Sequence, residues 1–398
     1  MAEPFVPFDV YPQPGSDGLP PRVLVAPPKY VQGPGVLKNF GHYLKLYAYS
    51  RAGVLASPRG HSAQAGVVAS AIEQEGTSVC VSVFGGECSL EEIDARSAEL
   101  QAEEVECLIA VGGGKCVDAG KCIAYRLGVP VVIVPTLASN DAPCSGVSVL
   151  YTPDGVVSGA EFFPHNPVLV VVDTQEIANA SERYFVAGIG DAMATWYEAR
   201  VCAENPQAAN VLGARPTLTA NMIGELCART LYTHGLDACA AVRENRVDQA
   251  LEDVVEANTL LSGVGFESGG LAGAHAYAQG YTTLQHVEEN YLHGEMVGMG
   301  VVAQLMLEQN PDEARRAAEF FAVIGLPITL EQIGVDREAE TQIASVVKGA
   351  MTFAPLANFS FEVTEDKVRA AMLHGDDLGK DVVREKGDAA YRRLREGE

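Results

Sequence analysis

The sequence predicts an α/β domain followed by an all-helical domain. Short apolar runs recur through the first half of the chain, segments of helical periodicity separate several of them, and strand signals stop after residue 174. Runs that are apolar on both faces and alternate with helices are typical of a parallel sheet covered by helices. We therefore expect one doubly covered sheet, with a helical domain after it in the chain.

Each predicted element follows from its local pattern. The strands are apolar runs bounded by turn residues: "RVLVA" (22–26), "AGVLAS" (52–57), "SVCVSVF" (78–84), "ECLIAV" (106–111), "PVVIVP" (130–135) and "VLVVVD" (168–173). Helical periodicity occupies 61–75, 89–103 and 115–127. Beyond residue 174 the pattern is helical, and breaks are predicted near Pro206, Pro216, Gly235, Gly280, Pro311 and Pro327.

The length of the chain favours two domains. A chain of 398 residues is too long for one ordinary hydrophobic core. We place an N-terminal extension at 1–20, the α/β domain at 21–174 and the helical domain at 175–398. The extension is Pro-rich and acidic, without the basic start and apolar stretch of a secretory signal.

Charge and cysteine content limit the classes of partner. The chain has 28 Lys and Arg against 52 Asp and Glu, a net charge of −24, which repels phosphate backbones and acidic membrane surfaces. Nucleic-acid and membrane partners are therefore not expected. The nine cysteines form no CxxC pair, and their odd number excludes a complete intramolecular disulfide set. A reducing cytoplasm fits this pattern best.

A glycine turn follows the strand "ECLIAV". Gly112, Gly113, Gly114 and Lys115 lie between this strand and a helical segment, as a phosphate-binding turn requires. Glycines let the backbone approach a pyrophosphate, and the N–H groups at a helix start favour its charge. A tight turn without a ligand fits the same residues. Asp118 and Lys121, one turn apart, form either a surface pair or a pair that orients the turn.

Three separate residues are candidate metal ligands. His293 begins the apolar run "HGEMVGMGVV", His275 lies in the Gly/Ala-rich "LAGAHAYAQG", and Asp191 precedes another apolar helix. Taken singly, His293 has a structural explanation as a helix-start residue, and Asp191 has one as a helix cap or first-turn acid. The two histidines are 18 positions apart, about 27 Å along a continuous helix, so they can share an ion only if the chain bends at "GYTTLQ".

Five stretches, in order over residues 22–375, resemble the glycerol dehydrogenases, the zinc branch of the iron-containing alcohol dehydrogenase superfamily. They are "VGGGKCVDAGK", "PTLASNDAPCSGVSVLYTPDG", "VVVDTQEIANASERYFVAGIGDAMATWYEA", "GFESGGLAGAHA" and "HGE". The resemblance implies a dehydroquinate synthase-like fold, with an N-terminal nucleotide-binding domain and an all-α C-terminal domain. It implies zinc held by Asp191, His275 and His293 in the cleft between the domains.

The resemblance also assigns further roles. It implies Asp141 as the residue that contacts the substrate hydroxyls, so that the catalytic set is Asp141, Asp191, His275 and His293. The residues expected at the cofactor are Ser57, Gly113, Gly114, Lys115, Asp118, Thr136, Ser139, Ser145, Val147 and Tyr151. Iron-type members carry a further His four positions after the Asp; here that position is Thr195, which leaves three protein ligands and an open site, as catalytic zinc requires.

Two departures bear on the cofactor and the substrate. Ser57 and Arg59 stand where the family has an acid for the adenosine ribose, which makes NADP as well as NAD a candidate cofactor. Residues 247–314 hold both histidines but neither Lys nor Arg, although a site for a phosphate or carboxylate normally places a cation nearby. Cations of the first domain, for instance Lys115 or Lys121, could still reach the site. A neutral polyol or hydroxyketone is the favoured substrate.

The predicted function is zinc-dependent oxidation of glycerol, or of a close vicinal diol, to dihydroxyacetone or the matching hydroxyketone, with hydride transfer to NAD(P). Three alternatives stay open: reduction of small 2-oxoacids or hydroxyketones, a lyase resembling dehydroquinate synthase, and a non-catalytic nucleotide-binding relative. The resemblance to this family, together with the exposed helices, predicts a homo-oligomer.

Overall fold

The computed structural model describes residues 4–11 and 18–395 and contains one six-stranded parallel sheet. Its strand order is β1-β8-β5-β4-β2-β3, and β6 and β7 form a separate antiparallel pair. The strands are β1 (Tyr30–Gly33), β2 (Arg51–Ala56), β3 (Ser78–Val83), β4 (Cys107–Gly112), β5 (Val131–Pro135), β6 (Val147–Tyr151), β7 (Val157–Phe162) and β8 (Leu169–Asp173).

Helices cover both faces of the sheet, as the two-sided apolar strands predict. Alternate residues of β2 point to opposite faces, with Val54 in the hydrophobic cluster of Phe40 and Ile72 and Leu55 in that of Ile93. The helices of this region are α1 (Pro7–Val10), α2 (Phe40–Leu44), α3 (Pro58–Ser62), α4 (Gln64–Glu73), α5 (Leu90–Ala102) and α6 (Gly114–Leu127).

One predicted strand is wrong. Residues 22–26 form no strand but a single bridge between Arg22 and Arg215. The hydroxyl of Ser268 accepts the backbone N–H of Val25 at 3.0 Å and donates to its carbonyl oxygen at 3.1 Å. This run therefore lies against the helical region instead of the sheet. The edge position belongs to Tyr30–Gly33, whose sequence lacks an apolar run. The short pair β6 and β7 was not predicted either.

Every described element after β8 is helical, which confirms the predicted fold class. The helices are α7 (Thr174–Ala178), α8 (Glu182–Glu204), α9 (Leu218–Arg243), α10 (Gln249–Glu256), α11 (Ser262–Gly269), α12 (Gly273–Thr282), α13 (Gln285–Asn290), α14 (His293–Leu307), α15 (Pro311–Ile324), α16 (Glu340–Met351), α17 (Glu365–Lys386) and α18 (Ala389–Arg395). The break predicted near Gly235 is wrong, because α9 runs through that residue. The predicted extension at 1–20 lies partly outside the described residues.

Close packing of α8 against α14 sets the position of the site. A Cβ at Gly294 would lie 1.8 Å from the carbonyl oxygen of Ala187, and one at Gly190 would lie 2.3 Å from that of Gly294. Only glycine therefore allows the two helices to approach here. The crossing places the first residue of α14 beside the middle of α8.

All nine cysteines are free thiols, and eight of them are buried. In the part of the chain that the structure describes, no helix is both long and apolar enough to cross a bilayer.

Candidate active site

The structure brings the three candidate metal ligands together. Asp191 is on α8, His275 is on α12 and His293 is the first residue of α14. Nε2 of each histidine lies 3.5 Å from Oδ1 of Asp191, and one ligand atom from each residue lies within 4.8 Å of the others. The chain bends between the histidines, since α12 ends at Thr282 and α13 intervenes, and the two rings are 5.5 Å apart.

These residues fit a divalent cation. Asp191 is 1% exposed, and its Oδ1 is buried without a hydrogen-bond partner. A buried carboxylate oxygen left unpaired is costly, and a cation removes that cost. Two ligands of a tetrahedral zinc at about 2.1 Å are about 3.4 Å apart, close to the spacing of Oδ1 and the two imidazole nitrogens. Two imidazoles and one carboxylate are also a donor set that catalytic zinc uses.

The charges around the cluster favour a positive group at its centre. Burial opposes ionisation of Asp191, but His293 and His275 outweigh it and hold the pKa of Asp191 below its usual value. Burial would lower the pKa of His275, yet Glu198 and Asp191 raise it well above the ordinary range. Burial and repulsion from Asp191 raise the pKa of Asp141. The cluster therefore accepts either protons or a cation.

Glu198, which the sequence analysis missed, orients one ligand. Its carboxylate is fully buried, and its Oε2 lies 2.6 Å from Nδ1 of His275. Its Oε1 accepts the backbone N–H groups of Ala272 and His275 at 3.0 and 2.9 Å. This arrangement directs Nε2 of His275 to the cluster, as a carboxylate behind a metal-bound imidazole does. Glu198 follows Asp191 by seven positions, two turns along the same face of α8.

Replacing Glu198 with Gln is expected to weaken metal binding by about 10–100-fold, since carboxylates behind ligating histidines contribute by that amount. The substitution keeps the size of the side chain but removes the charge that favours a ring with Nδ1–H and a free Nε2. Competition with a metal-sensitive dye measures the affinity. Glu308→Gln, in the same helical domain, serves as the control, and equal affinity in both variants would contradict this role.

Glu295 of the "HGE" sequence fixes the start of α14. Its carboxylate caps the helix at the backbone N–H of Leu292, 2.8 Å away, and pairs with Arg183 at 2.8 Å from both oxygens. Arg183 also donates to the carbonyl of Asn290 at 2.8 Å. These contacts hold the turn before His293, so a buried ion pair fixes the backbone from which that imidazole projects.

Thr195, at the position of the additional His in iron-type members, is not part of the cluster. The side chain is buried and packs against α11, where a Cβ at Gly265 would lie 2.4 Å from its methyl carbon. Within the described residues, the cluster therefore consists of three candidate metal ligands.

The expected cofactor residues line the carboxyl ends of neighbouring strands. Ser57 follows β2, Gly113 follows β4 and Thr136 follows β5, and these strands are adjacent in the sheet. From β2 the chain continues to β3 at the edge of the sheet and then crosses to β4, which lies on the opposite side of β2. The strand order therefore reverses between β2 and β4, and nucleotides bind at such a point in sheets of this kind. Ser57 caps α3 through Gly60, and the N–H of Thr136 donates to Gly112.

The first helix after the glycine turn carries two lysines with different surroundings. Gly114 begins α6, where a Cβ would lie 2.3 Å from the side-chain nitrogen of Asn140. Lys115 Nζ donates to both carboxylate oxygens of Glu87 at 2.7 Å and lies 4.5 Å from the ring centre of Tyr151. Lys121 is buried, and it does not form the surface pair that was left open.

Most of the remaining expected residues lie along the connection from β5 to β6, which reaches the metal cluster. Ser139 and Asp141 are half-buried after β5, and the backbone N–H of Asp141 donates to Oδ2 of Asp191 at 3.0 Å. Ser145 and Val147 lead into β6, which ends at Tyr151. Asp118 is buried behind them on α6 and accepts the N–H of Val149 at 3.1 Å. The connection thus joins the cofactor side of the sheet to the metal cluster.

A parallel α/β domain with a glycine turn, joined to a helical domain with an Asp-His-His cluster, defines the class of nucleotide-dependent metal enzymes with a dehydroquinate synthase-like fold. The sequence profile of the family described as iron-containing alcohol dehydrogenase matches residues 27–174. A glycerol dehydrogenase of Escherichia coli is 40% identical over 370 residues, which cover 92% of this chain and 99% of that protein.

Two further comparisons agree. A glycerol dehydrogenase of Thermotoga maritima is 48% identical over 269 residues, 67% of this chain and 73% of that protein. The crystal structure of glycerol dehydrogenase from Schizosaccharomyces pombe superposes with a TM-score of 0.87 at 33% identity, covering 92% of this chain and 93% of that one. The chain belongs to the iron-containing alcohol dehydrogenase family, and within it to the group of the glycerol dehydrogenases.

Proposed function

We propose that this protein oxidises glycerol, or a closely related vicinal diol, to the corresponding hydroxyketone and transfers the hydride to a nicotinamide cofactor. The observation that carries the proposal is the convergence of Asp191, His275 and His293 at the end of the connection from the cofactor side of the sheet. Relatives named as glycerol dehydrogenases cover nearly the whole chain and support the choice of substrate.

We further propose zinc as the metal, held by Asp191, His275 and His293. A zinc ion at this position supplies Lewis-acid activation of an alcohol. The backbone N–H of Asp141 donates to Asp191, and this proximity to the cluster supports a role for the Asp141 carboxyl group in orienting a second hydroxyl of a diol.

The surroundings of both lysines support a neutral substrate. The charge of Lys115 is already matched by Glu87, and Lys121 is enclosed beside Asp118. The charges of Lys115 and Lys121, two first-domain cations that a phosphate or carboxylate could use, are therefore neutralised within the protein. This argues against phosphorylated substrates and against the acidic substrate of a lyase related to dehydroquinate synthase. Homo-oligomeric assembly and a cytoplasmic location stay predictions.

The purified enzyme tests the proposal directly. Reduction of NAD and of NADP is followed by absorbance with glycerol, 1,2-propanediol and glycerol 1-phosphate, before and after removal of metal by a chelator and its replacement by zinc. We expect turnover of the two neutral diols, loss of activity on chelation and recovery with zinc. Preference for the phosphorylated substrate, or full activity in metal-free protein, would refute the proposal.

Cofactor choice gives a separate prediction. We propose that NADP is accepted beside NAD, because Ser57 replaces the acid at the end of β2 and Arg59 is exposed two positions later. No carboxylate of the described residues lies within ion-pair distance of Arg59.

Arg59→Ala is expected to lower kcat/KM for NADP about tenfold more than that for NAD, the effect of one charge-assisted phosphate contact. Steady-state kinetics measure it, with Arg96→Ala on α5 as the control. An equal loss for both cofactors would exclude the contact.

A further inference from the structure

Residues 141–147, here called the bridging segment, connect the metal cluster to the cofactor side of the sheet. At one end the backbone of Asp141 is bound to Asp191, and at the other Val147 begins β6. A short 3-10 turn, Ala142–Cys144, lies between them. Ser145 and Val147 are expected cofactor contacts, so the position of this backbone affects both halves of the site.

Lys121 binds the bridging segment from the α/β domain. The residue is 2% exposed, and its Nζ donates to the carbonyl oxygens of Ala142 and Val147 at 2.6 and 2.7 Å. It also contacts Oγ of Ser145 and Oδ1 of Asp118, each at 3.2 Å. One ammonium group thus holds the carbonyl groups of Ala142 and Val147, near the two ends of the bridging segment, at a fixed separation.

Glu267 binds the same segment from the helical domain. It lies on α11, is 1% exposed, and its Oε1 accepts the backbone N–H of Gly146 at 2.9 Å. Its Oε2 accepts Nδ2 of Asn166 at 2.6 Å, and that nitrogen also donates to the carbonyl of Cys144 at 2.9 Å. A Cβ at Gly146 would lie 3.0 Å from Oε1, so the contact also limits the residue at that position.

We propose that Glu267 is a positioning residue for the nicotinamide cofactor. It holds the bridging segment from the helical domain, as Lys121 does from the α/β domain, and so keeps Ser145 and Val147 where a bound cofactor meets them. The inference rests on the proposed function only for the identity of the cofactor. Glu267 does not touch substrate or the metal cluster; it acts through the backbone of Gly146 and through Asn166.

The charge of Glu267 depends on pH near neutrality. Burial raises its pKa to about 7, although Asn166, the N–H of Gly146 and Lys121 oppose the rise. The titratable groups that face it are Lys121 from α6 and the thiol of Cys144 from the bridging segment. The ionised carboxylate accepts both N–H groups, whereas the protonated acid carries a hydrogen on one oxygen and loses one acceptor. Cofactor affinity is therefore expected to rise with pH through this range.

The test is NADH binding to the purified, metal-loaded protein, followed by nicotinamide fluorescence between about pH 6 and about pH 8. In the wild type we expect the dissociation constant to fall as pH rises. Glu267→Gln keeps the shape but offers one acceptor only, and it is expected to bind NADH about tenfold more weakly at the upper pH, with a flat profile. KM for the cofactor should rise while kcat at saturating cofactor stays close to that of the wild type.

Two variants make the result decisive. Glu308→Gln removes another partly buried carboxylate of raised pKa, one that contacts Arg200 and Gln304, and it should keep the wild-type profile. Asn166→Ala removes one of the two donors to Glu267 and should weaken NADH binding while keeping the pH step, even where Glu267→Gln does not fold. The inference would be overturned if Glu267→Gln bound NADH with the affinity and the pH dependence of the wild type. If Glu267→Gln does not fold, wild-type affinity in Asn166→Ala would overturn it. Failure of the wild type to bind any nicotinamide would instead refute the proposed function.

Discussion

Replacing His293 with Ala is expected to abolish alcohol oxidation and leave the fold intact. The side chain is 48% exposed, because the ring projects from the first residue of α14 instead of into the core. Truncation therefore removes one of three ligands without creating a buried cavity. Lewis-acid stabilisation is worth several kcal/mol, so kcat/KM should fall by about a thousandfold or more.

The test measures metal content, activity and thermal stability together, so that loss of the metal is distinguished from loss of the fold. His286→Ala is the matched control, because His286 lies on the neighbouring α13, where its Nε2 donates to the carbonyl oxygen of Gly334 at 2.8 Å, outside the cluster. We expect that control to keep its metal and its turnover. A His293→Ala protein that retains a full equivalent of metal and wild-type turnover would remove His293 from the ligand set.

The convergence of the ligands illustrates what a sequence can and cannot provide. Spacing alone required only that the chain bend between His275 and His293, and the bend at the end of α12 satisfies that requirement. The meeting of the two rings with Asp191 came from family resemblance, because no local pattern encodes how α8 crosses α14. The signals for that crossing, Gly190 and Gly294, resemble any other glycines until the packing is known.

The residues behind the site were harder to find than the ligands. Glu198 has a detectable signal, its two-turn spacing from Asp191, but an acid on a long helix is usually solvent-exposed. Lys115 was expected to contact the cofactor, and its pairing with Glu87 depends on the approach of the connection after β3 to the start of α6. The prediction of a strand at 22–26 was wrong for a similar reason. The hydroxyl of Ser268, 243 positions away, forms hydrogen bonds with the backbone of Val25.

The second large effect concerns Lys121, whose burial no sequence pattern indicated. Lys121→Met keeps most of the side-chain volume but removes the ammonium group from four oxygen acceptors. Burial raises the pKa of Asp118, and Lys121 is the largest influence that opposes this rise, so the substitution leaves a buried carboxylate without its cation. Breaking such a pair from one side costs about 3–5 kcal/mol of unfolding free energy.

Urea unfolding of Lys121→Met, Asp118→Asn and the double variant measures this cost. The double variant should recover part of the loss, because neither partner then leaves an uncompensated charge and an Asn oxygen still accepts the N–H of Val149. Additive losses would show instead that Lys121 stabilises the protein mainly through the carbonyls of the bridging segment. In that case the single substitution should weaken NADH binding as strongly as Glu267→Gln, because both remove a fixed contact to the same backbone. A wild-type unfolding midpoint in Lys121→Met would contradict the buried pair altogether.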